Sequence, residues 1–121
     1  MSYSLYIHIP FCSSKCPYCG FSSVTDTEIH FIGHYIEAIC READIRAKSL
    51  FSGIPRTIYF GGGTPSHIPI KYINKLIEHL KITDEIPTAE FTIEANPESI
   101  SASWLDAIRD NGVNRISIGM Q

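Results

Sequence analysis

The feature that most restricts this chain is a repeated change of hydrophobic period, from 2 to about 3.6 residues and back, along nearly its whole length. Residues 4–9 alternate Leu5, Ile7 and Ile9 with Tyr6 and His8, the pattern of a strand with one apolar face. Pro10 ends that strand, because proline cannot donate to the ladder. Residues 28–51 instead place Ile29, Ile32, Ile36, Ile39, Ala43 and Leu50 at threes and fours, an amphipathic helix that Asp26 or Thr27 can cap. A short strand follows at 57–60. A second helix is expected at 69–81, with Tyr72, Ile73, Leu76, Ile77 and Leu80 as its stripe. Residues 90–95 form a third strand, closed by Asn96-Pro97. Ser101 then caps a third helix whose buried side is Trp104, Leu105 and Ile108, and Gly112 stops it. Residues 113–120 give a fourth strand.

The resulting order, β-α-β-α-β-α-β with helices of crossover length, implies parallel strands and right-handed connections. An open doubly wound sheet and a (β/α) barrel both satisfy that order. The strand faces favour the barrel. One face carries Leu5, Ile7, Ile9, Ile58, Phe60, Phe91, Ile93, Ile116 and Ile118; the other carries Tyr6, His8, Thr57, Tyr59, Glu90, Thr92, Glu94, Ser117, Gly119 and Gln121. A sheet covered by helices on both sides is apolar on both. The expected fold class is therefore α/β, with parallel β/α repeats making the first four strands and three helices of an incomplete barrel with a polar lumen. The fourth strand runs to Gln121 with no helix behind it, so an unpaired edge and self-association are expected.

A length of 121 residues suits one domain or part of one, and 44% apolar with 19% charged residues describes an ordered globular chain. The net charge of −3 argues against a nucleic-acid partner. No apolar run is long enough for a membrane span, and no signal sequence opens the chain, so a cytoplasmic location is expected. Four cysteines in such a chain read as ligands or buried thiols before disulfides.

Three of those cysteines, Cys12, Cys16 and Cys19, fall in one loop as C-x3-C-x2-C. Thiolates this close repel one another and oxidise unless a metal holds them. Three thiolates can hold three irons of a cubane cluster and leave the fourth iron open for an exchangeable ligand. The rival is a structural zinc site of Cys3His type with His8 as fourth ligand, which would make the chain a zinc-stapled structural domain. Cys40 lies mid-helix among Ile36, Ile39 and Ala43 and reads as a buried structural thiol.

Gly61-Gly-Gly-Thr-Pro65 lies at the carboxyl end of the second strand, the edge where sites gather in parallel α/β folds. Alone it is either a tight turn or a place where a ligand approaches the backbone. It lacks the Lys-Ser/Thr ending of a phosphate loop. Glu94, near the end of the third strand, can accept hydrogen bonds from ribose hydroxyls or an ammonium group, and Gln121 offers an amide on the same face. Tyr6 and His8 line the lumen or are satisfied polar residues of the core.

The stretch Cys12-x3-Cys16-x2-Cys19, with Tyr18 before the last cysteine, resembles the signature of the radical S-adenosylmethionine (SAM) superfamily. Tyr6-Ile-His-Ile-Pro-Phe-Cys12, Gly61-Gly-Gly-Thr-Pro65, Ile93-Glu-Ala-Asn-Pro97 and Asn114-Arg-Ile-Ser-Ile-Gly-Met-Gln121 together resemble its coproporphyrinogen III oxidase-like branch. The resemblance implies that Cys12, Cys16 and Cys19 bind a [4Fe–4S] cluster whose open iron is chelated by SAM, and that an electron from the cluster cleaves SAM to a deoxyadenosyl radical. It implies SAM contacts from Tyr6, Tyr18, Gly62, Gly63, Thr64, Glu94 and Gln121. It also implies that residues 1–121 are the N-terminal part of a radical SAM core domain, with its cluster loop at about 10–27. The rest of the barrel and a C-terminal domain would lie outside the chain, and this segment alone is expected to be inactive.

Two functions occur in that branch. The oxidase decarboxylates propionates of coproporphyrinogen III in porphyrin biosynthesis; a heme chaperone binds heme and passes it to acceptor proteins. The oxidase usually carries a further cysteine two positions after the third and a long N-terminal extension. Here Gly20-Phe21 follows Cys19, and the signature begins almost at Met1. Both departures favour the chaperone as the expected function, with heme as a further ligand of the full-length protein.

Overall fold

The computed structural model describes residues 2–12, 29–47, 54–80 and 90–119. Its elements are β1 (Ser2–Ile9), α1 (Ile29–Ala47), β2 (Ile54–Gly62), α2 (Ile70–Leu80), β3 (Glu90–Ala95), α3 (Ala102–Asp110) and β4 (Arg115–Ile118). Short 3-10 turns at Pro65–His67 and Pro97–Ser99 follow β2 and β3. The four strands form one parallel sheet in sequence order, β1-β2-β3-β4.

Register explains the two faces. Ile7, Phe60, Ile93 and Ile116 lie side by side across the sheet, while Tyr6, Tyr59, Thr92 and Arg115 form the neighbouring row on the opposite face. The first row packs under the helices. Ile32 and Ile36 of α1, Ile73, Leu76 and Ile77 of α2, and Trp104 and Ile108 of α3 close one core over Ile9, Ile58, Phe60, Phe91 and Ile93. Phe60 and Phe91 meet edge to face at 5.2 Å. Each large apolar side chain buried this way is worth about 1.5–3 kcal/mol, so the helical layer is set by the sheet's apolar face. Cys40 of α1 is buried in this core, and desolvation pushes its thiol pKa up.

The helix ends follow their local chemistry. Ser101 Oγ accepts from the Trp104 amide and caps α3. At the other end Gly112 takes φ +96°, with the Gly112 amide donating to Arg109 O and the Val113 amide to Ile108 O. This is a Schellman stop, and Val113 is buried as its hydrophobic contact. Val113 therefore belongs to the helix end, and β4 starts only at Arg115. Conversely β2 is longer than its apolar run, because pairing to β1 extends from Ile54 to Gly62. Pro55 is tolerated there, since β2 pairs with β3 only from Thr57 onward.

Three expectations are corrected. Leu105 is 37% exposed: α3 buries the i, i+4 pair Trp104 and Ile108, and the next residue is rotated off that stripe. Ile118 is 53% exposed, because the helical layer covers the apolar face only as far as Ile116. An open groove of about 370 Å³ between α3 and β4 marks where that cover stops. Thr92, on the polar face, is fully buried beneath its cross-strand neighbours Tyr59 and Arg115, whose guanidinium lies 3.4 Å from its hydroxyl. Among the described residues no helix is long and apolar enough to cross a membrane.

Candidate functional site

The site is built where β1 and β2 end. Parallel pairing does not stop at the strand tips: the Gly63 amide donates to Ile9 O at 2.7 Å, and the Thr64 amide to Phe11 O at 2.8 Å. The glycine turn thus grips the backbone that leads into the cysteine segment. A side chain at Gly63 would meet Phe11 O at 2.7 Å and Cys12 Sγ at 2.8 Å, so only glycine allows this approach. Cys12 is buried against it as a free thiol. From the helical side, the Tyr35 hydroxyl donates to His8 O at 2.7 Å, and its ring meets Phe11 edge-on at 5.4 Å.

The second part of the site is the polar face beside this turn. The Gly62 amide donates to Glu94 Oε1 at 3.3 Å. A Cβ at Gly61 would collide with Glu94 Oε1 and would lie 2.7 Å from the Tyr59 ring. Gly62 has φ +117°, and a Cβ there would meet the His8 ring and Ile9 O at 2.9 Å. Gly62 needs glycine for its conformation and for the nearby backbone, whereas a Cβ at Gly61 would require the Glu94 and Tyr59 side chains to shift. Tyr6 stacks on Tyr59 at 5.9 Å and shares a 3.1 Å hydrogen bond with His8 Nδ1. Desolvation first, then the nearby Glu94 charge, raises the pKa of both Tyr6 and Tyr59. Both phenols therefore hold their protons to higher pH than a free tyrosine.

A third part joins the turn to the end of β3. Asn96 Nδ2 donates to Thr64 Oγ1 at 3.2 Å, and the Asn96 amide donates to Ser66 Oγ at 3.1 Å. Ser66 and Ser99 share a 2.5 Å hydrogen bond, and Ser99 Oγ also donates to Asn96 O. Thr64 and Ser66 are buried. A cavity of about 190 Å³ opens beside this network, lined by Thr64, His67, Asn96, Glu98 and Ser99.

Of the sequence-selected residues, Cys12, Tyr6, Gly62, Gly63, Thr64 and Glu94 come together on one rim. Cys16, Tyr18, Cys19 and Gln121 lie outside the described residues. Among the described residues no three His, Cys, Asp or Glu side chains cluster as a metal site. Sequence reasoning missed the roles of Asn96 and Tyr35, and it assigned Tyr59 only to a face. Asn96 carried a signal, since it stood inside a quoted motif, but its partner is 32 residues away. The residues present fit a cluster with a bound nucleoside ligand in two respects. A buried thiol faces the rim, and the glycines leave a cradle that any Cβ would fill.

Comparison with known proteins agrees with this architecture. Residues 6–121 match the family model of the radical SAM superfamily. The chain is 38% identical over 133 residues to the heme chaperone HemW of Synechocystis, covering all of this chain and 30% of that protein. It is 38% identical to an anaerobilin synthase of Escherichia coli O157:H7, covering 97% of this chain and 27% of the relative. It is 34% identical to the oxygen-independent coproporphyrinogen III oxidase of Salmonella typhimurium, covering 98% and 26%. The structure superposes on that of coproporphyrinogen III oxidase (HemN) from Escherichia coli, a radical SAM enzyme. The TM-score is 0.90 at 32% identity, over 99% of this chain and 28% of the other. The chain thus spans less than a third of the length of each of these relatives. With residues 6–121 matching its family model, the chain belongs to the radical SAM superfamily, and HemW and HemN are among the proteins it is similar to.

Proposed function

We propose that residues 1–121 are the N-terminal part of a radical SAM core domain, which binds a [4Fe–4S] cluster through Cys12, Cys16 and Cys19 in a loop at about 10–27. SAM lies on the rim beside it, held by Tyr6, Tyr18, Gly62, Gly63, Thr64, Glu94 and Gln121. The observation that carries this reading is the glycine turn, which presses against Cys12 on one side and binds the Glu94 carboxylate on the other. The cluster supplies one electron to the sulfonium of SAM. The chain supplies position: Glu94 and the protonated phenol of Tyr6 face the ligand as acceptor and donor, and the backbone of 62–64 lies close enough for direct contact.

In the full-length protein we assign this domain to a HemW-like heme chaperone of the cytoplasm, delivering heme to acceptor proteins. Phe21 supports that assignment, standing where the oxidase usually has its further cysteine. The second reading is oxygen-independent oxidation of coproporphyrinogen III, which the close match to the HemN structure favours.

Anaerobic reconstitution with iron and sulfide, followed by visible spectra with and without SAM, tests the site. A brown protein whose spectrum responds to SAM is expected; a colourless zinc protein indifferent to SAM would overturn the reading. Incubating the full-length protein with heme and with coproporphyrinogen III then separates the functions. Heme binding without porphyrinogen turnover is expected, and turnover would shift the assignment to the oxidase.

A further inference from the structure

The buried network behind the glycine turn has an orientation that the SAM contacts do not require. A threonine hydroxyl has one proton and two lone pairs. At Thr64 one lone pair is taken by Asn96 Nδ2 at 3.2 Å, while the hydroxyl lies 4.0 Å from Cys12 Sγ, at the outer reach of an O–H···S contact. Asn96 can act this way because its own backbone is fixed. Its amide donates to Ser66 Oγ, and its carbonyl accepts from Ser99 Oγ. Thr64 is 7% exposed and Cys12 8%, so water does not compete freely for either group.

We infer that Asn96 orients the Thr64 hydroxyl toward Cys12 Sγ, making Thr64 a positioning residue that raises the reduction potential of a cluster held by that sulfur. The inference rests on the proposed cluster ligation by Cys12. Its physical basis is charge. Reduction adds negative charge to the cluster and its thiolates, and a donor aimed at a ligand sulfur stabilises the more negative state. Gly63 contributes by letting Cys12 Sγ sit against the turn, close to the Thr64 hydroxyl.

The test is the midpoint potential of the full-length protein, reconstituted anaerobically and titrated without SAM, with iron content as a second readout. Thr64→Val is expected to lower the equilibrium constant for one-electron reduction roughly tenfold, about 59 mV, with iron content unchanged. Thr64→Ser, which keeps the hydroxyl, should restore the wild-type value, and Asn96→Ala should move it part of the way down. A loaded wild type whose potential is unmoved by Thr64→Val overturns the inference alone. A shift with Thr64→Val but none with Asn96→Ala overturns the orienting role of Asn96. Loss of iron in Thr64→Val with a wild-type potential in Asn96→Ala also overturns it. A wild type that takes up no cluster overturns the cluster reading and this inference with it.

Discussion

The Glu94 carboxylate, on β3, accepts the backbone amide of Gly62, on β2, at 3.3 Å, and the neighbouring Gly61 has no room for a side chain against that same oxygen. The carboxylate is thus held by the strand next to it, through the Gly62 amide and a hydrogen bond with the Tyr59 side chain. Gly61→Ala should displace Glu94 and the Tyr59 ring while leaving the cysteines untouched. SAM affinity is expected to fall about tenfold or more, ~1.4 kcal/mol, at unchanged iron content. Equilibrium binding of SAM and an iron assay on the same sample check both halves.

Tyr6 and Tyr59 share the field of Glu94, and their raised pKa values fix a sign for alkaline stability. The folded protein holds these protons more tightly than the unfolded chain, whose phenols titrate near the ordinary 10.0. Their contribution is complete below that value and is lost as pH rises through the folded-state values. Chemical denaturation at a series of alkaline pH values should show this fall. Absorbance titration should give a lower phenol midpoint in Glu94→Gln than in the wild type.

At the end of α3, Gly112 holds φ +96°. Gly112→Ala is expected to destabilise the fold by about 1–2 kcal/mol, because a Cβ meets the carbonyl in that region. Ser101→Ala, at the opposite end, removes the acceptor of the Trp104 amide and should cost ~1 kcal/mol. The two ends share no partners, so the double variant should be close to additive in urea denaturation.

Asn114 replaces one rung of the β3–β4 ladder: its side-chain Oδ1 accepts from the Phe91 amide at 2.8 Å while its own amide donates to Phe91 O. Asn114→Ala leaves the Phe91 N–H without that acceptor, at a cost of about 1–3 kcal/mol. Hydrogen exchange should localise the effect, with faster exchange at Phe91 than at Ile93.

Cys40 and Cys12 are both buried, yet only Cys12 stands on the rim. Cys40→Ala should leave the iron content of the reconstituted protein unchanged, while Cys12→Ala should lose it. Cys40, its thiol kept neutral by desolvation, should also react slowly with thiol reagents in the folded protein at neutral pH.

How far the sequence could be read depended on the range of each interaction. The bounds of β3, the Ser101 cap and the Gly112 stop are local, and each was legible from a few consecutive residues. The two faces of the sheet were legible too, because alternation survives any register. The stacking of Tyr6 on Tyr59 was not, since it depends on which residues of β1 and β2 lie opposite one another. Leu105 and Ile118 were misplaced for a related reason. An apolar residue in a helix or strand is buried only if something is packed over it, and that lies in neither residue's local pattern. The link from Asn96 to Thr64 was hidden by the same long separation.

The grip of Gly63 and Thr64 on the carbonyls of Ile9 and Phe11 has a consequence for how such a chain can diverge. Two backbone donors, adjacent in sequence, must meet two fixed acceptors, one at the end of β1 and one two residues beyond it. Adding or deleting one residue between Phe60 and Thr64 would slip both and carry Cys12 away from the turn. The spacing through the glycine turn therefore behaves as a ruler whose length cannot be edited.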